Sequence, residues 1–349
     1  MRRIVAGPCA QKESGLVSCA LSMMTTSLPE KSNSRPQQTN SASFLAQGFA
    51  TGIFAVGFCL LPMILNAAEG TSPDRQSTAL PLWQAIALGV IEGATEYLPV
   101  SSTGHLLIFQ HWIGQSSDID ETEAAQALAI CIQIGAILAV VFLYFGRLRQ
   151  LVRGLLGGDR DGLRLAINLI IAFLPAAVIG LLFHRLIKEH LFKIRPVTVA
   201  VFVGALLILA TPRPKYDNAA HTKDLTEMRW WEALIVGILQ CLAFWPGFSR
   251  SLATILGCRA VGLRMTASVE FSFLLGLITL SAATAKEGLE HGSKIIEYYG
   301  VTSPVCALIV AFVSAVISVH FMVSMLNRFG LAPFGYYRIA LAALCLTLW

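Results

Sequence analysis

The sequence predicts an all-α polytopic membrane protein, built as an inverted-topology repeat with two re-entrant helix-loop-helix hairpins, about six spanning helices and an N-terminal extension. Three observations carry that reading. Charged residues make up 13% of the 349 and hydrophobic ones 55%, where a soluble domain carries about 25% charged residues. Apolar runs of the length that crosses a bilayer, about 20 residues, recur from Leu80 onward. Two further apolar segments are interrupted by Pro, Gly and clustered hydroxyls, and they are copies of one another. This composition excludes a disordered chain, a collagen-like chain and a disulfide-stapled secreted domain. The eight cysteines include no CxxC pair and read as small buried hydrophobes. The formal charge of +5 is spread between apolar runs. That is the pattern of topology signals, and no nucleic-acid partner is expected.

Taken in order, residues 1–43 are rich in Ser, Thr, Gln and Pro and predict a disordered polar tail. Residues 44–79 hold an extra apolar segment, anchor or signal-like, and a linker. The membrane domain follows as repeat 1 over 80–211 and repeat 2 over 212–349. Its spanning candidates are residues 124–145, 163–184, 196–211, 266–285, 304–326 and 332–349. The interrupted segments are 82–114 and 231–262. Lipid tolerates a broken helix only where protein or a cavity surrounds it, so each reads as a hairpin that enters and leaves by one face. Trp83, Ala85, Gly89 and Glu92 align with Trp231, Ala233, Gly237 and Gln240 at an offset of 148, and the breaks then align with a one-residue gap. Three spans follow each hairpin, and an odd number inserts the second copy upside down. Basic loops place Arg147 to Arg164 and Arg213 to Arg229 in the cytoplasm, and the acidic stretch 116–123 outside. The basic stretch from Arg185 to Arg195 is an exception to that rule. On this topology the two hairpin tips meet near the midplane.

Between Pro81 and Ser117 the only carboxylates are Glu92 and Glu96, four residues apart and so on one helical face. Two carboxylates buried together repel and are costly in hydrocarbon. A divalent cation, Mg2+ or Ca2+, relieves both problems through hard oxygen ligands; a pair of exposed surface charges is the bland alternative. Just downstream, Pro99-Val-Ser-Ser-Thr-Gly-His105 ends the helix and gathers Ser101, Ser102 and Thr103 beside the His105 imidazole. Helix capping accounts for at least one of these hydroxyls. A hydroxyl nucleophile, an imidazole base and two carboxylates within 14 residues of one element favour a functional reading. The second break, Trp245-Pro-Gly-Phe-Ser-Arg-Ser-Leu-Ala-Thr254, supplies Arg250, the only cation between Arg229 and Arg259. With Gly247, Ser249, Ser251, Thr254 and the N–H groups of a helix start, its planar fork suits a tetrahedral phosphate. A salt bridge to Glu92 or Glu96 without substrate is the competing reading, and both bring the breaks together. Cys258 to Arg264 has the C-x5-R spacing of cysteine phosphatases but lacks the strand-loop-helix cradle that chemistry needs. The constellation fits phosphoryl transfer from a lipid-soluble substrate. Ser102 or a metal-positioned water attacks, His105 moves the proton, and Arg250 with the metal stabilises the developing charge.

The stretch Glu92-Gly-Ala-Thr-Glu-Tyr-Leu-Pro-Val-Ser-Ser-Thr-Gly-His105, with Trp245-Pro-Gly-Phe-Ser-Arg-Ser251 and Thr254, resembles the bacterial undecaprenyl-diphosphate phosphatase family of the bacitracin-resistance type. Gln133-Ile-Gly135 and Glu270-Phe-Ser-Phe-Leu-Leu275 are lesser matches, and the likeness runs from about Leu80 to the C-terminus. The resemblance implies hydrolysis of undecaprenyl diphosphate to undecaprenyl phosphate and inorganic phosphate, which recycles the lipid carrier of cell-wall synthesis. It implies a multi-pass protein of the bacterial cytoplasmic (inner) membrane, and a homodimer is compatible with it. Carried over residue by residue, Glu92 and Glu96 match the acidic pair, Ser102 the proposed nucleophile, and His105 the family's histidine. Ser249, Arg250 and Thr254 match the phosphate-binding loop. Leu252 stands where the family usually has Gly, a larger side chain that either narrows the site or faces lipid. Signatures of the type-2 phosphatidic-acid phosphatases occur only as fragments in the wrong order. A polyprenyl-phosphate transporter using the same broken helices is the alternative. Ser102→Ala separates the two, since it should abolish phosphate release and leave transport intact.

Overall fold

In lipid the backbone must satisfy its own hydrogen bonds, and each apolar run accordingly becomes a helix. The computed structural model describes residues 80–113, 119–191, 193–211, 222–299 and 301–348. The tail expected over 1–43 and the apolar segment over 44–79 lie outside the described residues. The chain runs through α1 (Leu82–Thr95), α2 (Ser102–Trp112), α3 (Ile119–Leu143), α4 (Phe145–Leu155), α5 (Arg160–Leu191) and α6 (Ile194–Ala210). It continues through α7 (Trp230–Gln240), α8 (Arg250–Ala260), α9 (Met265–Tyr299), α10 (Thr302–Phe329) and α11 (Ala332–Leu348). A short 3-10 turn, Leu225–Glu227, precedes α7 and another, Cys241–Phe244, follows it.

Among the described residues, three helices are long and apolar enough to cross a membrane, over Arg160–Phe183, Met265–Glu290 and Thr302–Phe329. The span expected over 124–145 begins earlier, at Ile119, and breaks at Tyr144, where the chain bends by 78° into α4. Helices α6 and α11 have 17 residues each, about 25 Å of rise against a hydrocarbon core of about 30 Å, and they pack on one another. The six expected spans thus resolve into three full-length helices, a bent pair and two short ones. Outward-facing Leu174, Val178 and Leu181 on α5 and Ile309, Val313 and Ile317 on α10 form an apolar surface of the kind that faces lipid.

The two interrupted segments fold alike. Helix α2 begins at Ser102 and α8 at Arg250, so the offset of 148 runs unbroken through the breaks and the expected one-residue gap is absent. Matching Pro99 to Pro246 suggested that gap. The register is set instead by Ser101 and Ser249, each with φ of 78° and each the N-cap of the helix that follows. A non-glycine residue held there costs about 1–3 kcal/mol. Part of that is offset by capping, with Ser101 Oγ accepting from the Gly104 N–H at 3.2 Å and Ser249 Oγ from the Leu252 N–H at 3.4 Å. The helices before the breaks also seat alike. Gly89 and Gly93 of α1 press on the Ala307 and Ala311 carbonyls of α10, and Gly237 of α7 on the Ala172 carbonyl of α5. Both breaks lie in the core, where Tyr97, Val100, Phe248 and Leu252 join Phe273 and Met322 in one buried cluster. That burial is what makes their polar side chains consequential.

Candidate active site

Glu96 closes α1, its N–H still bonded to the Glu92 carbonyl at 2.9 Å. Ser102 opens α2 and Arg250 opens α8, so hydroxyl and guanidinium occupy corresponding first-turn positions in the two breaks. They meet on one carboxylate. Ser102 Oγ donates to Glu96 Oε2 at 2.8 Å, and Arg250 Nη2 donates to Glu96 Oε1 at 3.3 Å. The ion pair is nearly sealed, with side-chain exposures of 11% for Arg250 and 6% for Glu96. Arg250 Nη1 donates to the Ser272 carbonyl of α9 at 3.2 Å, and its guanidinium carbon stands 5.7 Å from the Tyr97 ring centroid, a cation–π contact. Its Nε is buried without a partner, so one edge of the fork remains free to donate. The guanidinium fits because Gly276 faces it; a Cβ at that position would collide with it.

Glu92 is fully buried, and neither carboxylate oxygen has a hydrogen-bond partner of good geometry. Gln133, Glu96 and Arg250 are its polar surroundings. An orphaned buried carboxylate beside a second one, with an amide at hand, is an oxygen donor set that suits a hard divalent cation. No group of three or more His, Cys, Asp or Glu fit to hold a metal occurs among the described residues. An all-protein cage is therefore not what these residues build. Mg2+ needs only one or two carboxylates when substrate oxygens and water complete its shell, and to that requirement they fit.

A cavity of about 440 Å3 opens on this cluster, with Glu96, Ser101, Ser102, Thr103, Gly247, Ser249 and Arg250 in its polar wall. Gln133 and Gln240 add two amides, and the Gln240 amide is buried and unpartnered. The rest is mostly apolar, with Phe173, Ala176, Ala177 and Gly180 of α5, Phe244 and Leu280 prominent, and Lys286 and Glu287 also line it.

Other expected residues sit behind this wall. Ser251 is buried and donates to the Leu98 carbonyl of the first break at 3.0 Å. Thr254 is buried too, its Oγ1 lying 3.0 Å from the Arg250 carbonyl and 2.5 Å from Ser272 Oγ. Both tie the start of α8 to its surroundings from outside the cavity lining. His105 is not in that lining either. Its Nδ1 lies 2.7 Å from the Ser101 carbonyl and its Nε2 2.6 Å from the Tyr337 hydroxyl, with the two rings stacked. A carbonyl can only accept, so Nδ1 carries a proton, and in the neutral ring Nε2 accepts from the Tyr337 hydroxyl. The structure therefore brings Glu96, not His105, to the Ser102 hydroxyl. Leu252 neither narrows the cavity nor faces lipid. It is fully buried, directed at Gly204 of α6.

Arg338 was not among the expected residues. It is fully buried on α11 and donates only to carbonyls: Nε to Val201 at 3.1 Å, Nη1 to Pro99 at 3.3 Å, and Nη2 to Ala200 at 3.2 Å and Gly247 at 2.8 Å. One side chain thus holds both breaks to α6. Its signal was available, a lone cation within the apolar run that ends the chain. In the lesser-matched segment, Glu270 pairs with Arg147 of α4 while Ser272 serves Arg250.

Residues 85–344 match the family of the bacitracin resistance protein BacA. An undecaprenyl-diphosphatase of Sorangium cellulosum is 46% identical over 271 residues, covering 76% of this chain and 86% of that protein. An undecaprenyl-diphosphatase of Maridesulfovibrio salexigens is 40% identical over 268 residues, 77% of this chain and 98% of that protein. An undecaprenyl-diphosphatase 2 of Rhodospirillum rubrum is 41% identical over 271 residues, 77% and 95%.

Proposed function

The chain belongs to the family of the bacitracin resistance protein BacA, and from that membership and the cavity we infer that it is an undecaprenyl-diphosphatase. It hydrolyses undecaprenyl diphosphate to undecaprenyl phosphate and inorganic phosphate, serving cell-wall synthesis and bacitracin resistance. It is a multi-pass membrane enzyme, and we assign it to the bacterial cytoplasmic (inner) membrane. The observation that carries the catalytic reading is the shared carboxylate, with the Ser102 hydroxyl on one Glu96 oxygen and the Arg250 guanidinium on the other. That arrangement supports hydrolysis over the transporter alternative, since carriage needs no hydroxyl aligned on a base.

In the proposed reaction the terminal phosphate enters beside Arg250, which turns from Glu96 to the phosphate oxygens. Glu96 Oε2 takes the Ser102 proton as Oγ forms a bond to the terminal phosphorus. The bridging P–O bond breaks, and undecaprenyl phosphate leaves with the electron pair. Water then attacks the phosphoserine phosphorus, the P–Oγ bond breaks, protonated Glu96 returns its proton to Ser102 Oγ, and the water's own protons leave on inorganic phosphate. Arg250, with Ser249, Thr103 and backbone N–H groups of the α8 start, holds charge on the equatorial oxygens. The apolar wall of Phe173, Ala176, Ala177 and Gly180 with Phe244 accepts the first isoprene units. We propose that Glu92 and Glu96 hold Mg2+ or Ca2+, which when bound supplies Lewis-acid polarisation of a phosphoryl oxygen. His105 holds the Ser101 carbonyl and so the conformation that presents Ser102.

The test is phosphate release by the purified protein from a prenyl diphosphate. Ser102→Ala, Glu96→Gln and Arg250→Ala should each lose about 10²-fold or more in kcat, and a chelator should abolish activity that Mg2+ or Ca2+ restores. Activity surviving Arg250→Ala within a few-fold would remove the clamp from the mechanism.

A further inference from the structure

A second cavity, of about 550 Å3, lies at the start of α5 and α7, where Arg160 and Arg164 of one face Arg229, Trp230 and Trp231 of the other. None of its lining residues is a carboxylate. The wall is fixed. Arg164 Nη1 donates to the Thr226 carbonyl at 3.0 Å, and Asn168 Nδ2 donates to the Met228 carbonyl at 3.0 Å. Two basic stretches that charge alone assigns to the cytoplasmic face, one holding Arg164 and the other Arg229, are here brought into one concavity. The inner surface of that membrane is where anionic lipids concentrate positive side chains.

The cavity is also continuous with the apolar exterior. Leu163 and Ile167 line it, and Ile170 and Leu174 continue the same outward stripe of α5, all between 38% and 51% exposed. Trp231, Leu234, Ile235 and Ile238 make a second outward stripe on α7. The two helices are in contact through Gly237 and Ala172. Guanidiniums and indoles above, with two aliphatic tracks below, match a phosphate headgroup and its acyl chains in size order and chemistry. With three guanidiniums and no carboxylate, the cavity offers a choline or ethanolamine ammonium no counter-charge. We propose that this cavity binds the headgroup of an anionic phospholipid, its phosphate on Arg160, Arg164 and Arg229 and its chains along α5 and α7. The site is separate from the catalytic reading, since the first cavity uses the later stretch of α5, from Phe173 on.

Native mass spectrometry of the purified full-length protein, titrated with phosphatidylglycerol or phosphatidylcholine in nonionic detergent, tests it. One phosphatidylglycerol should be retained with about tenfold or greater preference over phosphatidylcholine, because basic side chains near the surface attract the anionic headgroup. Arg160→Gln with Arg229→Gln should erase that preference, and Lys at both positions should keep part of it. Melting in lipid-free detergent and phosphate release should be unchanged for the Lys pair, which keeps the test valid if the Gln pair folds poorly. Equal retention of the two lipids, or undiminished preference in a folded Gln pair, overturns the proposal. So does displacement by inorganic phosphate, which would mark a free-anion site, or by undecaprenyl phosphate, which would make it a second substrate site.

Discussion

Glu96 is the residue on which the proposed chemistry turns, because its two oxygens answer to different breaks. Its neighbours make sharper tests than its own removal. Gly276→Ala adds one methyl where the Arg250 guanidinium lies, while Ala is the better helix former by about 1 kcal/mol. Phosphate release should therefore fall about tenfold or more, since displaced contacts in a reacting geometry are costly, with melting temperature held or raised. An inactive but unstable variant would point to a packing role only. Arg338→Ala leaves the Pro99, Ala200, Val201 and Gly247 carbonyls without their shared donor. It should cost about 3–5 kcal/mol, read as a large drop in melting temperature, and Lys should rescue little because an ammonium lacks the planar fork. His105→Ala distinguishes two roles. If the imidazole holds the Ser101 carbonyl, activity and melting temperature fall together; if it moves the proton, activity falls alone and the acid limb of the pH profile disappears.

At the scale of elements, the breaks resemble each other more in backbone than in side chains. Ser101 and Ser249 share φ of 78° and a capping hydroxyl, yet the next residue is the proposed nucleophile in one and the proposed anion clamp in the other. Ser249→Ala should cost about 1 kcal/mol through the lost cap, a shift of a few degrees in melting temperature. The seam between α1 and α10 is less forgiving. Gly93→Ala places a methyl against the Ala311 carbonyl, and overpacking of this kind costs about 1–3 kcal/mol. Gly146→Ala is the control, because nothing lies within 4 Å of its Cβ position, so it should be neutral or stabilising. The bend at Tyr144 falls where the apolar run gives way to a stretch carrying Arg147, Arg149 and Arg153, but hydropathy reports where a run ends and not the angle at which the next helix leaves it.

For the whole molecule, the proposal that the hairpins enter from opposite faces predicts a labelling pattern. In a cysteine-free background, Ser117→Cys should react with an impermeant thiol reagent added outside intact cells, and Gly158→Cys only after the membrane is opened. The same sidedness at both positions would overturn the inverted arrangement. Much of the molecule was legible before any coordinates. Low charge and 20-residue apolar runs follow from the solvent the chain must fold in, and Pro, Gly and hydroxyl clusters mark interruptions that lipid does not tolerate unpaired. The acidic pair and the lone Arg250 stood out because charge inside an apolar segment demands a partner. Composition and local chemistry thus determined that this is a helical membrane protein with two broken segments carrying complementary charges. Only the tertiary structure decided that Ser102 and Arg250 share one carboxylate, that His105 turns to Tyr337, and that Arg338 binds both breaks. Those outcomes depend on which helices approach closely enough for groups 91 to 239 residues apart in sequence to meet, the Arg338 side chain with the Pro99 and Gly247 carbonyls and the His105 ring with the Tyr337 hydroxyl. Such approach is set by packing of small residues and buried carbonyls, which no local pattern encodes.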